Sequence, residues 1–208
     1  MSATCHIVCA GPCEGLNIEL DEHDLLVAAD GGAGYCLDAG LTPHVLIGDF
    51  DSIDSTSSHA ISCERITLPR DKDDTDTLAA CKLGIERGYR EFKIHAALGG
   101  DVGHEIANVQ LLAFLRREGA HGVLYGCEQE LHLIDAELSP ARFHAPAQTR
   151  VSVFAFGGIA HGVRERGLHW ELEDACMEPS LPIGVSNRVE GGSFEVGVRS
   201  GALVVVIG

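Results

Sequence analysis

The chain is poor in positive charge. Across 208 residues, 15 Lys and Arg stand against 31 Asp and Glu, a formal net charge of −16. Affinity for nucleic acid rests largely on cationic contacts to phosphate, so this balance sets a nucleic-acid partner aside. The acidic surplus suits metal ions, cationic ligands or solubility alone. No run of about 18 apolar residues occurs, so no membrane span is expected. The N-terminal "MSATCHIVCAG" has no basic segment followed by an apolar core and does not read as a signal peptide. Eight cysteines are present, at 5, 9, 13, 36, 63, 81, 127 and 176, yet no C-x-x-C pair is formed. "HIVCAG" reads as a strand, so Cys5, Cys9 and Cys13 do not share a helical face. Buried free thiols in a reducing cytoplasm fit this pattern better than disulfides or zinc. H-E-x-x-H, G-x-S-x-G, the P-loop and G-x-G-x-x-G are all missing, which removes the familiar footholds of zinc peptidases, serine hydrolases and common nucleotide folds.

What is present is order along the chain. Residues 1–137 alternate short apolar runs, "HIVCAG", "LLVAAD", "HVLIGD", "FKIHAAL" and "GVLYG", with helix-like segments. One helix is predicted from near Asp73, with Leu78, Cys81 and Ile85 on its inner face and Gly88 as its stop. Another is predicted from near Gly103, with Ile106, Val109 and Leu112 inside and Gly119 as its stop. Strands alternating with helices predict an α/β fold with a mostly parallel sheet and flanking helices. Residues 138–148, "LSPARFHAPAQ", carry two prolines and no period and read as a linker. Beyond it, "TRVSVFAF", "LHWELED", "SFEVGVRS" and "ALVVVIG" alternate or are β-branched, with glycines between. Residues 149–208 therefore predict a small antiparallel β-sandwich-like domain.

In open α/β sheets ligands collect at the carboxyl ends of strands. Four acidic or glycine-rich clusters fall there: "DGGA" from Asp30, "DFDS" from Asp49, "GGD" from Gly99, and "PRDKDDTD" ahead of the first helix. Crowded carboxylates repel one another unless a cation holds them or some are protonated. Mg²⁺ takes oxygen ligands and shares them with phosphates, so Asp49, Asp51, Asp73 and Asp76 are candidate ligands. A solvated turn accounts for Asp49 and Asp51 equally well, and helix capping for Asp73 and Asp76. Gly31, Gly32, Gly99 and Gly100 can admit phosphate to the backbone or simply make turns. Arg70 and Lys72 are the nearest cations, and His104 stands at a helix start. In the β domain the single tryptophan, Trp170, is either a core residue or an aromatic face for a cationic ring. Ser186 and Asn187 suit an amide-like or amino-heterocyclic ligand, or an ordinary turn.

Taken together, "AADGGAGYCLDAGLTPHVLIGDFDSI", "PRDKDDTD", "LGGDVGHEIANVQLL", "GLHWEL" and "GVSN" resemble the thiamine pyrophosphokinase family, in its order and across residues 28–187. "GDFDS" followed by D-K-D-x-T-D is the specific pair. The resemblance implies an ATP-binding α/β domain, a β domain contributing to the thiamine site, and a homodimer with thiamine at the subunit interface. It implies transfer of pyrophosphate from ATP to the hydroxyl of thiamine, giving thiamine diphosphate and AMP. Asp49, Asp51 and Asp76 match the Mg²⁺-carrying positions, with Asp73 close by. Asp30, Gly31, Gly32, Lys72, Gly99, Gly100, His104 and Asn108 match positions around the nucleotide. Trp170, Ser186 and Asn187 match the thiamine-contacting part. One motif departs: the family reads Gly-Gly-Arg-x-Asp-His, and this chain reads Gly99-Gly100-Asp101-Val102-Gly103-His104. Arg70, Arg116 and Arg117 are candidate replacements for that arginine. A pyrophosphokinase for another heterocyclic alcohol, such as a pterin, and a non-catalytic binding relative are the alternative readings.

Overall fold

The structure is a computed structural model and describes residues 3–50, 63–69, 71 and 73–208. The chain divides into two compact units, residues 1–128 and 129–208. The first holds β1 (Thr4–Val8), β2 (Leu25–Ala29), β3 (Val45–Gly48), β4 (Glu64–Thr67), β5 (Glu91–His95) and β6 (His121–Tyr125). They run parallel in the order β4-β3-β2-β1-β5-β6. β2 and β3 are buried along their whole length, so both read as unbroken apolar runs. β4 sits at the edge, mostly exposed, and its "ERIT" carries little apolar signal. From β1 the chain steps outward through β2, β3 and β4, then returns to add β5 and β6 on the other side. That reversal opens a crevice at the carboxyl ends of β1 and β5.

Three helices occur in the described part of this unit: α1 (Gly32–Asp38), α2 (Asp76–Glu86) and α3 (Val102–Arg117). The start of α2 differs from expectation. Thr75 is its cap, the hydroxyl accepting from the Leu78 backbone N–H at 3.1 Å, and Asp73 lies exposed ahead of it. The buried seam of α2 is Ala80, Cys81 and Gly84 instead of Leu78, Cys81 and Ile85. Small residues let the helix sit close to the sheet: a Cβ at Gly84 would meet the Phe92 ring at 2.6 Å. α3 buries Asn108, Leu111, Leu112 and Leu115, whereas Ile106, expected inside, is 56% exposed. Asn108 holds an inward position because its amide donates to the Ala97 carbonyl just beyond β5, at 2.9 Å. An apolar-period argument has no means of placing an asparagine there.

The second unit is antiparallel throughout. It comprises β7 (Glu130–Asp135), β8 (Ala141–His144), β9 (Arg150–Arg166), β10 (Leu172–Met177), β11 (Asn187–Arg188), β12 (Ser193–Gly197) and β13 (Ser200–Ile207). The 17-residue β9 is its spine. Its first half pairs with β13 and β11, and its second half with β10 and β12. Val151, Val153, Val163, Phe194, Val196, Leu203 and Val205 form the core. Two expected boundaries shift. β7 pairs with β13 and so belongs to this unit. Residues 138–148, read as a linker, contain β8, which pairs with β12. No helix among the described residues is long and apolar enough to cross a membrane.

Candidate functional site

The crevice between β1 and β5 holds a cavity of about 500 Å³. Backbone from residues 9–12, after β1, forms one side, and residues 96–97, after β5, another. These two loops touch through glycine. The Gly11 N–H donates to the Ala96 carbonyl at 3.0 Å, and a Cβ at Gly11 would lie 2.5 Å from that oxygen. The N-terminal turns of α2 and α3 complete the wall. Asp30, Phe50 and Ala96 have positive φ, at 46°, 59° and 51°, although none is glycine. They stand just past β2, β3 and β5, so unfavourable backbone gathers at the carboxyl edge, as at many ligand sites.

Of the sequence candidates, Asp30, Asp76, Gly100, His104 and Asn108 line the cavity. Asp49 follows Gly48, where a Cβ would lie 3.3 Å from the Asp30 Cα, so the ends of β2 and β3 are in close contact. The Asp30 N–H donates to the Ile47 carbonyl at 2.9 Å. Asp49, Asp73 and Gly99 are not part of the lining. Gly31 is the cap residue of α1, and Gly32 serves packing: a Cβ there would lie 2.0 Å from the Val8 carbonyl oxygen. Asp51, Lys72 and Arg70 lie outside the described residues.

The altered Gly-Gly motif has a local structural role. Asp101 caps α3, its carboxylate accepting from the His104 N–H at 3.2 Å. Glu105 reaches back and accepts from the Gly99 N–H at 2.8 Å. Asp101 and Glu105 therefore join Asp30 and Asp76 on the cavity wall, and among the described residues no Lys or Arg lines it. Arg116 and Arg117 sit at the far end of the 16-residue α3, roughly 20 Å along the helix from its start. Arg117 lies over Phe114 and pairs with Glu118 there. Neither replaces the family's arginine. Burial pushes the Cys9 thiol up to about 11, so this cavity-lining cysteine stays protonated and is no nucleophile. The carboxylates of Asp30, Asp76, Asp101 and Glu105 put oxygen donors around an open space, the donor type that Mg²⁺ takes.

In the second unit, Trp170, Ser186 and Asn187 come together. Trp170 is 59% exposed, so the core reading of this residue fails. His169 packs edge-on against its indole, 4.8 Å between centroids. The Asn187 side chain is buried and holds the Trp170 backbone at both groups: Oδ1 accepts its N–H at 3.0 Å, and Nδ2 donates to its carbonyl at 2.7 Å. Ser186, at φ 59°, donates its N–H to Ser152 Oγ at 3.0 Å. Leu181, Ile183 and Val185 are exposed in the preceding segment.

Sequence reasoning missed the 9–12 loop, Thr75, Glu105 and Glu165. "CAGP" after the first strand carried a signal, since Gly-Pro past an apolar run marks a strand end as the noted clusters do. Glu165 lies two residues from buried Val163 on β9, an inward position by strand alternation. Burial raises its carboxyl to about 7, against the opposing hydrogen bond from Asn187.

The fold and cavity define a class: a doubly wound α/β domain with an acidic cavity at its switch point, followed by an antiparallel β domain with an exposed tryptophan. Residues 16–124 match the family model described as thiamin pyrophosphokinase, catalytic domain, and residues 132–204 match thiamin pyrophosphokinase, vitamin B1 binding domain. The chain belongs to the thiamin pyrophosphokinase family. It is similar to the thiamine pyrophosphokinase of Bacillus subtilis (strain 168), 34% identical over 115 residues, 52% of this chain and 54% of the relative. It thus spans about half the length of the curated relative it matches. The solved thiamine pyrophosphokinase from Bacillus subtilis has a TM-score of 0.87 at 22% identity, covering 98% of both chains. A thiamin pyrophosphokinase family protein from Enterococcus faecalis has a TM-score of 0.83 at 22% identity, covering 99% of this chain and 98% of that one. These two likenesses concern the fold.

Proposed function

We propose that this protein is a thiamine pyrophosphokinase, moving a pyrophosphoryl group from ATP to the hydroxyl of thiamine and releasing AMP. The observation that carries the reading is the meeting of Asp30, Asp76, His104 and Asn108 around one switch-point cavity, in a chain whose two parts each match a model of that family. Phosphoryl-type transfer needs positioning and charge neutralisation more than covalent chemistry. Asp49, Asp51 and Asp76 would hold Mg²⁺, with Asp73 nearby. When bound, the ion would offset phosphate charge that an acidic wall alone repels. Asp30, Lys72, Gly100, His104 and Asn108 would surround the nucleotide, with Gly31, Gly32 and Gly99 shaping the loops beside it. A cavity carboxylate would accept the hydroxyl proton. Trp170 and Ser186 would receive the cationic vitamin, and Asn187 would contribute by fixing Trp170. We read the protein as a homodimer, which light scattering in solution tests. We also read it as cytoplasmic, in keeping with eight free cysteines.

The direct test is AMP release from Mg-ATP with and without thiamine. Thiamine-dependent AMP is expected. No AMP, under conditions where another family member turns over, sinks the reading. One observation favours a second reading, a binding relative without turnover: Asp101 stands as a helix cap where the family carries arginine. Calorimetric thiamine binding with no AMP release would decide for it.

A further inference from the structure

The second unit buries two polar side chains among its described residues, Glu165 and Asn187, at 2% and 4% exposure. They touch each other: Asn187 Nδ2 donates to Glu165 Oε2 at 3.1 Å. A primary amide offers two donors and two acceptor lone pairs. Asn187 uses all four within the chain. Nδ2 donates to Glu165 and to the Trp170 carbonyl, and Oδ1 accepts from the Trp170 and Arg188 N–H groups, the last at 2.9 Å. Nothing of Asn187 remains for a ligand. It is a clamp that fixes the backbone of Trp170 while the indole stays outside.

Glu165 occupies a core position of β9, opposite Leu172 of β10 and Val196 of β12. Its Oε1 is buried with no hydrogen-bond partner among the described residues. A half-satisfied carboxyl is a liability to folding, and an apolar side chain of similar size fills such a position at lower free energy. What glutamate supplies and leucine lacks is the acceptor that meets Asn187 Nδ2. Without it, the amide loses the contact that sets its orientation from the side away from Trp170.

We propose that Glu165 is a positioning residue for substrate, acting through the Asn187 clamp to hold the exposed Trp170 indole in place. Glu165 touches no substrate. The role rests on the reading above that Trp170 receives the vitamin, and it carries a signature independent of substrate, because Trp170 is the only tryptophan of the chain. Intrinsic fluorescence therefore reports this indole alone.

The test uses the full chain with E165L and E165Q. E165L removes a half-satisfied carboxyl but leaves one Asn187 amide hydrogen unpaired, so it is expected to melt near the wild-type temperature. Its Trp170 emission shifts, the indole becomes more accessible to acrylamide, and the KM for thiamine rises about tenfold with kcat within about twofold. E165Q keeps an acceptor oxygen for Asn187 and stays near wild type in emission, quenching and KM. An E165L protein with unchanged emission, quenching and KM overturns the proposal. So does E165Q behaving like E165L, because the acceptor would then not be the active feature. If E165L does not fold, E165M removes the same acceptor, and an unchanged Trp170 signal in that variant is equally fatal. W170A separates the two claims. An unchanged thiamine KM in W170A defeats the substrate reading of Trp170, while the substrate-free fluorescence of the Glu165 variants still reports on the clamp.

Discussion

The two units prepare polar groups for a ligand in opposite ways. In the first, carboxylates stand around an open cavity at strand and helix ends, with cap contacts only three to six residues away, such as Asp101 to His104 and Glu105 to Gly99. In the second, Asn187 and Glu165 are buried and bonded to each other across 22 residues, and Asn187 holds the Trp170 backbone across 17, while Trp170 itself stays exposed. The first arrangement is open to charge and suits chemistry on a polyanion. The second is closed and rigid and suits the holding of a cation against a fixed aromatic face.

That contrast predicts a division of kinetic effects. D76N should lower kcat by at least about 100-fold, because on the proposed reading it removes a cavity carboxylate that would hold Mg²⁺ on the transferred phosphates. Stability should barely change, since a first-turn carboxylate contributes only about 0.5 kcal/mol to its helix. W170A should do the reverse, raising the thiamine KM about tenfold through loss of a desolvated cation–π contact, with kcat nearly kept. Steady-state kinetics on both variants check the pair. If D76N acts on KM alone, or W170A on kcat alone, the division of labour between the units is wrong.

The buried polar residues sharpen the comparison. In the first unit Asn108 satisfies the Ala97 carbonyl and carries no charge. In the second, burial raises the Glu165 carboxyl from 4.5 to about 7. A folded-state value above the unfolded one means the fold prefers the protonated form. The stability that goes with it is fully present below about pH 4.5 and is lost progressively until pH passes about 7, in total about 3 kcal/mol. E165L carries no such titration. Denaturant unfolding should therefore show E165L gaining on wild type by about 2–3 kcal/mol between pH 5 and pH 8. Comparing the two proteins at each pH isolates the contribution of position 165. A gap independent of pH would show that Glu165 keeps its ordinary ionisation.

The same contrast explains what could be read in advance. The parallel strands, the acidic clusters at their ends and the separate β domain were legible because each is written in a few adjacent residues. Asp30 and Asp76, read from clusters far apart in sequence, do line one cavity. Cys81 and Leu112 are buried on α2 and α3 as expected, but the rest of those inner faces was misread because close packing chose Gly84 and a backbone carbonyl chose Asn108, and neither follows an apolar period. β4 and β8 were missed as edge strands with little apolar content. Glu165 was missed for a different reason. Strand alternation places it inward, but its partner Asn187 is 22 residues on, and nothing local couples the two.

The smallest effect tests the cavity's one departure from family pattern. Asp101 caps α3, and a Cβ at Gly103 would lie 3.0 Å from its Oδ1. The two residues are thus coupled: an aspartate at 103 crowds the capping carboxylate and sets a second negative charge beside it. G103D alone should lower stability by about 1 kcal/mol, and D101R alone by a similar amount through loss of the cap. Together, D101R and G103D remove the crowding, place a cation beside the cavity and keep an acidic residue in the first turn. The double variant should therefore lose about 1 kcal/mol less than the sum of the singles. Its turnover should exceed that of wild type several-fold, since the added charge faces a polyanion. Thermal melts of the four proteins and their AMP release measure both terms. Strict additivity in the melts would mean that Asp101 and Gly103 act separately. Unchanged turnover would mean that the missing arginine is made good elsewhere in the chain.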